Sequence, residues 1–82
     1  VKHDPVSVAK GVVRTQAKQL RGDWSDPHVV WFCYILGGWK ALLITEANDG
    51  RYYEVTYDRA KLSVYVDTYV KESNVSLAIP EA

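Results

Sequence analysis

The chain has 82 residues, of which 48% are hydrophobic and 24% charged, the composition of a single small globular domain. Its ten basic and ten acidic residues cancel, so overall charge selects no partner. A disordered chain, a collagen-like repeat and a disulfide-stapled miniprotein are excluded, the last because Cys33 is the only cysteine.

Asp4-Pro5 opens the first element. Asp4 is suited to cap free amides, and Pro5 fits the first helical position, where its missing N–H costs nothing. Val6, Ala9, Val13, Ala17 and Leu20 follow at spacings of three and four, with Val8 and Val12 widening the apolar stripe. Gly22 is placed as the left-handed residue that stops the helix. The pattern predicts a helix from about Pro5 to Arg21. Gly11 costs about 1 kcal/mol against Ala in mid-helix, which is offset if another element approaches there.

Asp23 to Pro27 reads as a loop, and from His28 the period changes to two. His28–Leu36 is apolar on both faces, with Val30, Phe32 and Tyr34 on one and Val29, Trp31, Cys33 and Ile35 on the other. Such a strand is expected to be covered on both sides. Gly37-Gly38 is a two-residue hairpin signal, and Trp39–Glu46 is the return strand. Asn48-Asp49-Gly50 is a second turn, followed by the strand Arg51–Tyr57. After Asp58–Lys61, Leu62–Val70 alternates Leu62, Val64, Val66 and Val70 against Ser63, Tyr65, Asp67 and Tyr69. Val75, Leu77 and Ile79 supply the teeth of a short fifth strand. The prediction is a single α+β domain over residues 1–82, in which an N-terminal helix packs on an antiparallel meander of four or five strands.

The run Asp49-Gly50-Arg51-Tyr52-Tyr53-Glu54-Val55-Thr56-Tyr57, with Val30-Trp31, Lys40-Ala41-Leu42-Leu43 and Tyr65-Val66-Asp67-Thr68-Tyr69, resembles a group of small uncharacterised proteins from phages and prophages of Gram-positive bacteria. The resemblance covers residues 29–74 and implies a phage origin, with no catalytic motif and no activity to carry over. In outline, a helix across a curved meander is also similar to cystatin-like and PepSY-like folds, a likeness of architecture alone.

No residue set points to an enzyme. Cys33 is expected to lie among apolar strand neighbours, where a thiol is inert, and His28 is too far along the strand to activate it. His3, His28 and Cys33 have no close-spaced metal-ligand pair. Asp23, Asp26 and His28 cluster in the loop, where turn and cap chemistry explains them better than a cation does. Glu54 and Asp67 share a sheet face if their strands pair as a simple hairpin; pairing with Lys or Arg explains such residues better than hydrolysis does. No cofactor and no metal are expected. The N-terminus lacks the apolar run of a signal peptide, and Val29–Leu36 is far short of the roughly 20 residues of a membrane helix, so the expected address is the cytoplasm, away from membranes.

Two surfaces remain. Residues 1–21 carry five basic groups against Asp4, and Lys10, Arg14, Lys18 and Arg21 share one helix face that is suited to phosphates. The plainer reading is a solvated face turned toward the chain's own acidic loops. Tyr52, Tyr65 and Tyr69 fall on the sheet face opposite the helix if Tyr53, Val55, Val64 and Val66 point inward, and Trp39 and Trp31 are candidates to join them. These aromatics either anchor a partner or pack together to complete a thin core. The favoured function is a stoichiometric protein-interaction module, including a homodimer that uses the patch twice. Weak nucleic-acid binding by the basic helix face is the alternative. A C-terminal strand folded back over the sheet would compete with the dimer for the same apolar surface.

Overall fold

The computed structural model describes residues 4–47 and 49–80. Lys2 and His3, and Asn48 of the expected second turn, lie outside the described residues. The elements run α1 (Pro5–Arg21), β1 (Pro27–Ile35), β2 (Gly38–Thr45), β3 (Arg51–Asp58) and β4 (Ser63–Val70). The four strands form one antiparallel sheet in the order β1-β2-β3-β4, so the α+β meander is as expected, with four strands.

The helix is fixed by its ends and by its small residues. Asp4 Oδ2 accepts from the backbone N–H of Ser7 at 3.2 Å, and Pro5 opens the first turn. At the other end Gly22 takes φ 65°. Its N–H donates to the Lys18 carbonyl at 2.9 Å while that of Asp23 donates to the Ala17 carbonyl at 3.2 Å. These two bonds make a Schellman stop, which satisfies carbonyls the helix leaves free. Ala9, Val13 and Ala17 are fully buried, and because they are small the helix sits close to the large side chains of the sheet: Trp39, Leu43, Tyr53 and Val55. Val8, Val29, Phe32, Tyr57, Val64 and Val66 border that core. Gly11 serves no close approach, since a Cβ there would meet nothing within 4 Å. Leu20 is exposed, so the apolar stripe ends one turn earlier than its spacing predicts.

The first hairpin turns at Leu36-Gly37, with Gly37 at φ 85°, one residue before the expected Gly37-Gly38. Gly38 already belongs to β2, where a Cβ would overlap the carbonyl of Tyr57 on β3. The glycine pair thus has two separate duties, a left-handed turn and a close strand approach.

In β1 the register shifts between Val29 and Trp31: Val29 pairs with Leu43, whereas Trp31 pairs with Leu42. This bulge places Val29 on the same face as Phe32 and Tyr34, although strict alternation assigns it to the face of Trp31 and Cys33. β1 is also an edge strand and most of it is exposed, so it is not covered on both sides. Cys33 is exposed rather than shielded among apolar neighbours, which corrects the expectation of a buried thiol. The fifth strand is not formed either. Residues 71–80 are exposed and carry no regular structure, which leaves β4 as the other edge. With that segment standing off the domain the radius of gyration is 15.0 Å, against about 12 Å for a compact chain of this length.

Candidate interaction surface

Pairing fixes what the uncovered sheet face presents. On the face of Trp39, Ala41, Leu43, Tyr53 and Val55 the helix forms the lid. Their strand neighbours point the opposite way, so the open face carries Trp31, Cys33 and Ile35 from β1 and Lys40, Leu42 and Ile44 from β2. From β3 and β4 it carries Tyr52, Glu54 and Thr56, then Tyr65, Asp67 and Tyr69. Tyr52 is paired directly with Tyr69, and Thr56 with Tyr65. Trp31, Tyr65 and Tyr69 keep 41%, 45% and 49% of their surface in solvent.

The three expected tyrosines therefore share the open face, and Trp31 joins them. Trp39 does not. It is 6% exposed, stacked on Tyr57 with ring centroids 5.8 Å apart and packed near Phe32 at 5.7 Å. Its strand parity is that of Ala41 and Leu43, both fully buried beneath the helix, so it is a core residue and its place among the exposed aromatics is corrected. Leu42, Ile44 and Ile35 also line the open face. Apolar spacing in β2 could not reveal this, because both of its faces are apolar.

Electrostatics make the open face asymmetric. Glu54 and Asp67 are direct partners across β3 and β4, as a simple hairpin register requires. Glu54 is served by Lys40 at 3.6 Å and by a long 3.4 Å hydrogen bond donated by the Tyr69 hydroxyl. The Glu54 charge, followed by desolvation and the Asp67 charge, raises the Tyr69 pKa above its ordinary value. Asp67 has no ion pair among the described residues. Two carboxylates against one ammonium leave this aromatic face acidic at its centre.

The opposite side of the molecule is basic. Arg14 reaches Asp26 at 3.6 Å, with both side chains at least half exposed, and Lys18 lies 4.1 Å from the Trp24 ring centroid. Contacts this exposed are worth little and leave most of the helix's positive field in place. Ser7, Val8, Gly11, Val12, Thr15 and Gln16 line an open groove of 430 Å³ on the helix surface.

The loop acids divide among separate tasks. Asp23 accepts from the Ser25 backbone N–H at 2.9 Å, from the Ser25 hydroxyl at 2.5 Å and from the Thr45 hydroxyl at 2.7 Å. The Ser25 side-chain bond, then that of Thr45, holds its pKa below the ordinary value. This ties the loop after α1 to the end of β2. Asp26 faces Arg14, and His28 lies 3.5 Å from Glu46.

One helix over one face of a four-stranded antiparallel meander, with an acidic aromatic face left open, defines a small two-layer α+β domain. A family model matches residues 6–79, and the chain belongs to that family, described as a family of unknown function, DUF6275. The match takes in the helix and most of the segment after β4. No curated protein and no solved structure matches the chain. None of the helices described is long and apolar enough to cross a membrane.

Proposed function

We propose that this domain is a non-enzymatic protein-interaction module that acts stoichiometrically and associates through the open face of its sheet. The observation that carries the reading is the exposure of Trp31, Tyr65 and Tyr69 on one continuous face beside Leu42, Ile44 and Tyr52. A lone domain of this size normally covers such a face or uses it, and tyrosine and tryptophan are the side chains that most often anchor interfaces. The Asp49–Tyr57 run supports a phage or prophage origin for the protein, with a host cytoplasm as its place of action. The nucleic-acid alternative has less support, since four cations on one helix are common and no groove-reading motif accompanies them. It predicts binding to mixed-sequence duplex that is lost in Lys10→Ala and Arg14→Ala.

Sedimentation velocity across a wide concentration range tests the interaction reading. The wild-type chain is expected to associate with itself, and Tyr65→Glu to remain monomeric. A wild-type chain that stays monomeric at high concentration overturns the reading.

A further inference from the structure

From this reading of the open face, we infer that its partner is the outer surface of helix α1 on a second copy, so that copies stack head to tail. The argument begins with the charge of the two surfaces. The open face centres on Glu54 and Asp67 with Lys40 as its cation, whereas α1 carries Lys10, Arg14, Lys18 and Arg21. A two-fold pairing of open faces would set acidic centres against each other, and like charges brought together in an interface are strongly unfavourable. Helix on sheet joins opposite charges instead.

Shape points the same way. In one copy α1 already covers the face that carries Ala41, Leu43 and Val55. The open face is made of the same four strands and has the same extent, so a second 17-residue helix has room to lie on it. At 100° per residue, Ser7, Gly11, Arg14 and Lys18 turn away from the buried Ala9, Val13 and Ala17. Gly11 leaves the helix surface open along the shallow groove it shares with Ser7 and Thr15, and Arg14 and Lys18 follow three and seven residues further along the outward side. A ring such as Tyr65 or Trp31 has room to lie against this open stretch, with the helix cations turned toward Asp67 and Glu54. Each sheet would then be covered on both faces, by its own helix and by its neighbour's, which is the layered arrangement that a sheet apolar on both sides needs. The contact is heterologous, so it propagates into a ring or a filament rather than closing as a two-fold dimer.

Charge reversal tests this. Chains with Arg14→Glu and Lys18→Glu, and separately with Asp67→Lys, alter exposed side chains, and circular dichroism checks that each still folds. Each variant alone is expected to lose self-association by about tenfold or more, the scale of like-charge juxtaposition. Mixing the two restores opposite charges across the contact, and association returns. Wild-type species are expected to grow beyond the dimer and to disperse as salt is raised. If Tyr65→Glu abolishes association while the helix reversals leave it intact, the head-to-tail contact is overturned and the open-face reading stands. A wild-type assembly that stops at the dimer overturns the head-to-tail contact, and a wild-type monomer overturns both.

Discussion

The Tyr53 hydroxyl offers the sharpest test of the core. Tyr53 is 1% exposed, and its hydroxyl has no hydrogen-bond partner among the described residues. Burying such a group unpaired costs about 1–3 kcal/mol, and phenylalanine fills the same space without it. Tyr53→Phe is therefore expected to stabilise the domain by about 1 kcal/mol, or to raise Tm by about 4–8 °C for a chain of this size. The pH dependence adds an independent signature. Burial, followed by the charges of Asp49 and Asp23, raises the Tyr53 pKa above its ordinary 10.0. Above pH 10 the unfolded chain releases this proton while the folded chain keeps it, so the wild type loses stability as pH rises. The variant has no such loss, and its advantage should widen between pH 7 and pH 10.5. Urea titrations at both values, compared at equal m, read the difference. A variant less stable than the wild type at pH 7 would refute the argument, because the hydroxyl would then have a partner. An advantage that shrinks with rising pH would do the same.

Other substitutions probe the turns, the loop and the thiol. Gly38→Ala should destabilise by about 1–3 kcal/mol in denaturant titration, since its methyl meets the Tyr57 backbone, which cannot move without parting β2 from β3. Gly11→Ala is expected to stabilise by up to about 1 kcal/mol, because helix propensity improves and nothing opposes the methyl. Asp23→Asn should cost about 1 kcal/mol at pH 7, allowing for solvent screening of this loop. The wild-type contribution is present above the unfolded value of 3.8 and disappears as pH falls through the lowered folded value, so the variant should show a flatter acid limb in pH-dependent unfolding. Cys33 should react with a thiol reagent in the folded protein at close to the rate of the unfolded chain, and protection in the monomer would contradict its exposure.

The sequence by itself determined whatever is written within one turn of chain. Asp4, Pro5 and Gly22 set the helix boundaries, and the switch to two-residue periodicity after Pro27 set the meander, because capping, φ preference and alternation act between near neighbours. The parity of Tyr52, Tyr65 and Tyr69 followed once Tyr53 and Val55 were taken as inward-facing. Tertiary structure alone decided what depends on residues far apart. The bulge after Val29 shifts the parity of the strand before it and so brings Val29 to the helix face, and no local pattern marks it, since both faces of β1 are apolar. Trp39 was assigned to the core by the face on which α1 lies, and the same choice set Leu42 and Ile44 on the open face. Cys33 was exposed by its place on the uncovered face of an edge strand rather than by its neighbours in sequence. Val75, Leu77 and Ile79 have the spacing of a strand, yet a strand exists only when another edge pairs with it, and in this structure nothing does.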